Sequence, residues 1–372
     1  MHKLPLKDVC KIQYGYPFDS KLFNANNIGK PLVRIRDVVR GYTETYTSET
    51  CADGYVVTRG DILIGMDGEF NIAKWRSDSA FLNQRVCKIT PQGDIDEDYL
   101  LYYLLQALKA VEDKTSYVTV KHLSAKVLES IEIPLIGLQE QKEITTKLNR
   151  LSSLIDKRKQ QLENLDKLIK SQFIEMFGGY SLRNKQPGWV KVGTVAEVIG
   201  GSTPKTDTPE YWDGDFYWVM PAEIKEDDFI VTHTQRSLTE KGVDSCSLRR
   251  LPVGTVLLSS RAPIGKVAIA GVEMYCNQGF KNLICGEELN SVYVYALLKY
   301  NSDYLNSLGR GATFKEISKS IVENIYIPVP AIARQNEFAR FVEQTEKSKF
   351  TIKQSLEQLE ILKKSLMQKY FG

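Results

Sequence analysis

The sequence of 372 residues holds three histidines and six cysteines, and these short supplies exclude a good deal. The cysteines stand at 10, 51, 87, 246, 276 and 285, and none forms a Cys-x-x-Cys pair. With so few histidines beside them they do not make a structural zinc site, and they are too sparse for a disulfide scaffold. There is no GxxxxGK phosphate loop, no HExxH, no early GxGxxG and no Asn-Pro-Pro-aromatic stretch. The chemistry those motifs carry, from nucleotide hydrolysis to amino-methyl transfer, has no foothold here. His2, His122 and His233 are the whole stock of histidine bases, and none has a partnered serine or cysteine motif. Long apolar runs are missing too. None exceeds seven residues, the length of Tyr99 to Leu105, against the ~20 of a membrane span. No apolar leader is read at the start. The expectation is a soluble protein of a reducing, cytoplasmic compartment. Charge of one sign is also lacking: Lys plus Arg is 49, Asp plus Glu is 46, and the formal net charge is +3. So small an excess admits nucleic acid as a partner only if the positive charge is segregated.

What is present is globular. The composition is 42% hydrophobic and 26% charged, with 19 Tyr, 14 Phe and 4 Trp to fill a core. The length suits two or three domains. The dominant feature is an internal duplication. Gly60-Asp61-Ile62-Leu63-Ile64 matches Gly254-Thr255-Val256-Leu257-Leu258, and Leu82-Asn83-Gln84 matches Cys276-Asn277-Gln278. Ile131-Glu132-Ile133-Pro134 matches Ile325-Tyr326-Ile327-Pro328, Gln141 matches Gln335, and Phe177-Gly178 matches Phe371-Gly372. Each pair is 194 residues apart. Leu6, Val9, Ile12 and Gly15 match Val192, Val195, Val198 and Gly201 at an offset of 186, so the second copy carries about eight more residues between Gly201 and Gly254.

Each copy divides into two parts. The first is turn-rich, with short apolar runs after glycines that read as strands and segments such as Tyr99 to Ala110 and Val292 to Tyr300 that read as helices. Its fold class is α+β. The second part, Leu138 to Phe177 and Ala333 to Phe371, has no proline and no glycine. Ile144, Leu148, Leu151, Ile155, Leu162, Leu165 and Ile169 step through it as a heptad seam. Phe338, Val342, Ile352, Leu356 and Leu359 continue the same register in the second copy, where Thr345 and Lys363 interrupt it. Each rod of ~37 residues is roughly 55 Å long at 1.5 Å per residue. A lone helix of that length is marginal in water, so the two rods are expected to pair as an antiparallel coiled coil about a pseudo-twofold. The domain boundaries read from the sequence are 1–138 and 179–332 for the globules, and 139–178 and 333–372 for the helices.

Candidate chemistry is sparse. Asp213 or Asp215 followed by Glu223 and Lys225 resembles the loose acidic pattern of metal-dependent nucleases, and a solvated loop is the plainer account. Cations suited to DNA are better placed. Arg34 and Arg36 lie two apart and would share one face of a strand, and Lys74, Trp75 and Arg76 join two cations to an aromatic. The second globule offers Lys205, Arg236, Arg261, Lys266 and Trp218, with Arg261 and Lys266 flanking a rigid bend. Such side chains bind phosphates or donate to guanine. Asn83-Gln84 and Asn277-Gln278 are duplicated, and two different half-sites need different readers, so these amides are expected to be structural.

The order and duplication of these stretches resemble the specificity subunit of a type I restriction–modification enzyme. The resemblance rests on Ile131 through Leu135 with Gln139-x-Gln141, and on Ile325 through Pro330 with Arg334-Gln335. It also rests on Gly200 through Lys205, Gly254 through Gly265, Asn277-Gln278-Gly279 and Gly311-Ala312-Thr313. It covers nearly the whole chain. The first copy departs from it, with Gln13-Tyr14-Gly15-Tyr16-Pro17 where the second has Ile199 through Pro204. The resemblance implies a DNA-reading subunit without catalysis or cofactor of its own. Each globule would be a target recognition domain reading half of a split sequence in double-stranded DNA. The rods would be the spacer and the dock for two adenine methyltransferase (modification) subunits, which use S-adenosylmethionine. An endonuclease/translocase subunit using ATP and magnesium would join them. A helical scaffold that reads no DNA is the different-class alternative.

Overall fold

The computed structural model describes residues 2–50, 54–114, 121–261, 263–311 and 315–372. Cys51, Ala312 and Thr313, and Ala262 within Gly254 through Gly265, lie outside them. The chain divides into two compact units, Met1–Lys157 with Leu356–Gly372, and Arg158–Ser355. Both are α+β, and each takes a part of both long helices, Leu138–Phe177 and Ile332–Phe371.

In the first unit the strand His2–Pro5 pairs antiparallel with Glu132–Leu135. A four-stranded antiparallel sheet follows, in the order Cys10–Tyr14, Val86–Pro91, Ile62–Gly65, Ile72–Lys74. Ile62, Leu63 and Ile64 are all fully buried, as an unbroken apolar run in an inner strand requires. A second sheet orders Phe23–Asn24, Tyr46–Thr47, Lys30–Val33, Ala80–Leu82 and Val56–Val57. The second unit repeats the plan. Val190–Lys191 pairs with Tyr326–Ile327. Ala196–Gly200, Lys281–Cys285, Val256–Leu258 and Val267–Ala270 form the same sheet order, with Ile230–Val231 added in parallel at the edge. Arg236–Leu238, Trp212–Val219 and Tyr275–Cys276 form a separate three-stranded sheet. The duplicated glycines have a steric cause: a Cβ on Gly15 would collide with the carbonyl of Asn83, and one on Gly201 with those of Cys276 and Asn277.

The duplication reaches individual hydrogen bonds. Gln141 is fully buried at the start of the first long helix. Its amide nitrogen donates to the carbonyls of Asp94 (3.1 Å) and Ile136 (2.9 Å), and its oxygen accepts from the N–H of Asp96 (2.7 Å). Gln335 does the same with Glu288 (2.9 Å), Pro330 (2.7 Å) and Asn290 (2.9 Å). Asp96 and Asn290 each cap a helix of the globule, Glu97–Lys114 and Ser291–Lys299. From those helices the Tyr99 hydroxyl donates to the Pro134 carbonyl (3.0 Å) and Tyr293 to Pro328 (3.1 Å). Burial pushes the Tyr99 phenol up to about 12 and raises Tyr293 as well, so both stay donors. The strand, the short helix and the long helix are thereby locked together in each copy.

The apolar seam enters both globule cores. Ile144 and Leu148 sit in the core of the first unit, where Leu366, Met367, Tyr370 and Phe371 from the end of the second long helix pack against the same core. Phe371 meets the rings of Tyr99, Tyr102 and Tyr103. Ile169, Phe338 and Val342 sit in the core of the second unit, with Phe173 and Phe177 against Phe338. Leu151 and Ile155 are buried, while Leu162, Leu165, Ile352, Leu356 and Leu359 are half-buried. The seam therefore belongs in part to the globule cores, where the heptad reading treats it as helix pairing alone.

Replacing Gln141 or Gln335 with Leu removes three hydrogen bonds and leaves buried backbone groups unmet, at about 1–3 kcal/mol for each group that water cannot reach. The expected loss is at least ~2 kcal/mol in the unit that carries the change, read as an earlier urea transition of that unit with the other unaltered.

Candidate nucleic-acid interface

Arg34 and Arg36 are not on a strand. Arg34 caps the helix Ile35–Arg40, and Arg36 lies within it. Local capping overrides the two-residue alternation: the buried Asp37 carboxylate accepts from the Arg34 N–H (2.9 Å), and Gly41, at φ +72°, ends the helix in the left-handed region. Arg76 comes to the same helix from a neighbouring segment and donates to the carbonyls of Val39 (2.7 Å) and Arg40 (3.0 Å) at its C-terminal end. Three of the predicted cations thus gather around one short helix. Arg34 is exposed, its guanidinium 5.9 Å from the Phe23 ring centroid. Arg36 donates to the Thr45 hydroxyl (3.1 Å).

Lys74 is placed apart from them. Its ammonium lies 2.7 Å from both Glu97 and Asp98. Burial works against its charge, but the hydrogen bonds to Asp98 and Glu97 outweigh it and raise its pKa above the usual lysine value. Burial likewise works against the Asp98 charge, but Lys74 and Asn149 hold its carboxyl below the usual range. Trp75, expected beside these cations as a stacking aromatic, is buried and donates its indole N–H to the Asp78 carbonyl. It is a core residue, because an indole in this run fills the space between helix and sheet.

In the second unit Lys205, Trp212 and Arg236 come together. The Trp212 indole donates to the Lys205 carbonyl (3.1 Å), and the Arg236 guanidinium lies 3.5 Å from the Trp212 ring centroid. The Lys205 side chain is exposed. Trp212 is the residue that the sequence reading missed here. The aromatic singled out instead, Trp218, is buried and donates to the Ser202 carbonyl. Lys266 is engaged: its ammonium donates to the carbonyls of Ile224 (2.6 Å) and Pro221 (3.3 Å), bracing that loop. Arg261 is half-exposed beside Gly279. The duplicated asparagines are tied up locally. Asn83 accepts from Gln84 N–H, and Asn277 donates to Thr203 and accepts from Gly279 N–H.

The acidic pattern does not form a metal cradle. The two oxygens of Glu223 accept from the N–H groups of Met220 (3.1 Å) and Gln235 (2.8 Å), and Lys225 offers its own N–H to Asp228. Asp215 is exposed. Among the described residues no group of three or more His, Cys, Asp or Glu is placed to hold a metal ion. Burial pushes the thiols of Cys10, Cys87 and Cys276 up to about 12, far from the thiolate a nucleophile needs. Among the described residues no helix is long and apolar enough to cross a membrane.

The sequence profile described as "Type I restriction modification DNA specificity domain" matches residues 1–165 and again residues 188–361. The chain is 43% identical over 169 residues to the type I restriction enzyme EcoBI specificity subunit of Escherichia coli, a match covering 45% of this chain and 36% of that protein. It thus spans about a third of that relative's length. A putative type I restriction enzyme MjaX specificity subunit of Methanocaldococcus jannaschii is 26% identical over 92% of this chain and 87% of its own. Among solved structures, an S subunit of a type I restriction–modification system from M. genitalium matches with a TM-score of 0.64 at 14% identity, covering 100% of this chain and 96% of that one. At that identity the likeness is one of fold.

The geometry separates cations free to meet a ligand from cations already spent. Arg34→Ala should weaken target-DNA binding by about 1–3 kcal/mol, by filter binding. Lys266→Met should leave the affinity of the folded protein unchanged and lower its stability by about 1–2 kcal/mol, by urea unfolding.

Proposed function

The chain belongs to the family of type I restriction–modification DNA specificity domains, and on that premise we propose that it reads a bipartite DNA sequence for a methyltransferase and endonuclease assembly. The observation that carries the reading is the doubled match of the family profile, once in each half, joined to the doubled glutamine lock of Gln141 and Gln335. Residues 1–138 and 179–332 are the two target recognition domains. Residues 139–178 and 333–372 are the spacer helices. The two globules differ in their cations and loops, as readers of unlike half-sites must.

The spacer helices pair antiparallel about a pseudo-twofold. In the second unit Phe173 and Phe177 meet Phe338, while the earlier Asp166 meets the later Lys349, which supports opposite directions. Lys349 is almost wholly buried and lies 2.7 Å from both Asp166 and Glu346. Burial works against its charge, yet the two carboxylates raise its pKa above the usual lysine value. A buried ion pair of this kind fixes register better than it adds stability.

No chemical step belongs to this chain. Two modification subunits would dock on the helices and bring S-adenosylmethionine, and endonuclease/translocase subunits would bring ATP and magnesium. The partners would also supply phosphate contacts, which fits a net charge of only +3. The reading is tested by exchanging residues 1–138 for the equivalent globule of a related chain and mapping methyladenine in cells that also carry the methyltransferase partner. One half of the methylated motif should change and the other stay. A change in both halves, or in neither, would contradict it.

A further inference from the structure

The turn Leu82 to Val86 and the segment around His122 meet on a backbone frame that both copies share. Met66 N–H donates to the Arg85 carbonyl and Leu123 N–H to the Met66 carbonyl, both at 2.8 Å. In the second copy Ser260 N–H donates to Gly279 (2.7 Å) and Ile317 N–H to Ser260 (3.0 Å), at the same offset. Asp67 bridges His122 across this frame, as Arg261 bridges Glu316. The frame is repeated, but its side chains are not. Asp67, Arg85 and His122 stand where the second copy has Arg261, Gly279 and Glu316. Where a fold is duplicated to read two different half-sites, positions that keep the hydrogen-bonded frame but carry unlike residues are where discrimination belongs.

The first copy's cluster is built. One Asp67 oxygen lies 2.5 Å from His122 Nδ1, and the other lies 3.4 Å from Arg85 Nε. Nδ1 can donate only one proton, and the shorter contact gives it to Asp67. The Arg85 Nη1 at 3.3 Å is then a neighbour of that nitrogen and not its donor. Asp67 therefore holds the Nε side of the guanidinium, and Nη1 stands beside the imidazole. The Arg85 and His122 side chains are 52% and 46% exposed, so the cluster can be reached from solvent. Arg85 also holds a φ of +70°, a left-handed conformation that Gly279 does not share, that disfavours a long side chain and is kept where something constrains it. In the second copy a Cβ at Gly279 would stand 3.4 Å from Arg261 Cγ, so there an arginine enters the same space from the opposite segment.

We propose that Arg85, positioned by Asp67, reads a guanine in the half-site governed by residues 1–138. Its guanidinium would donate to O6 and N7 in the major groove, the pairing a guanidinium fork fits best. The inference rests on the DNA-reading function above and adds a residue to it. The test uses the full chain assembled with its methyltransferase partner, and compares the methyladenine motif and Tm of wild type, Arg85→Gly and Asp67→Asn. Arg85→Gly should lose the demand for guanine at one position of that half-site, by roughly 5- to 150-fold. The other half-site should be unchanged. Its Tm should be no lower than wild type, because glycine suits the left-handed backbone. Asp67→Asn should blur the same position less. An unaltered motif, or evenly weaker binding with a salt slope reduced by about one, would overturn the proposal, the latter by making Arg85 a phosphate contact. A wild-type complex that marks no split motif would instead strike the underlying reading.

Discussion

A side-chain amide hidden from water holds each long helix to the globule before it. Gln141 and Gln335 each satisfy three backbone groups from two different segments. Such a lock leaves little freedom in the angle at which the helix departs, because swinging the helix would strand buried donors and acceptors. A spacer fixes a distance only if its joints are stiff. The buried tyrosine hydroxyls on Pro134 and Pro328 stiffen the same joints from the side.

On this frame charge is spent locally before it is offered outward. Lys74, Lys266 and Lys349 lie against carboxylates or carbonyls of their own unit, and Arg76 closes the end of a helix. An excess of three positive charges therefore understates how selectively the remaining cations are placed. Arg34, Lys205, Arg261 and Arg85 stay at least partly open to solvent. A few open cations on a nearly neutral body suit a reader that relies on partners for general attraction to DNA.

The repeat, the two α+β globules and the long helices were legible in the sequence, because glycine and proline anchors keep constant offsets and the helices carry a heptad free of proline and glycine. The seam's place in the globule cores was not, since periodicity marks a buried face without saying what buries it. Ile144 and Phe338 look alike in sequence to Leu162, yet they lie in globule cores. The helix under Arg34 was missed because one buried carboxylate, Asp37, sets its start. Trp212 and the Asp67–Arg85–His122 cluster were missed because they assemble from segments far apart in the chain. The signal for the cluster was present as a break in the repeat, with Arg85 opposite Gly279, but a difference between copies has meaning only once the shared backbone is seen.

On the proposed function, two stiffly jointed helices would set the distance between two independent readers. Inserting one heptad into both Leu138–Phe177 and Ile332–Phe371, in register, adds roughly 10 Å to each at 1.5 Å per residue. Mapping methyladenine with the lengthened chain and its partner subunits should show both half-sites unchanged and a spacer wider by up to about three base pairs, at ~3.4 Å each. Half-sites that persist at the original spacing, or a methylated motif that is continuous, would contradict it.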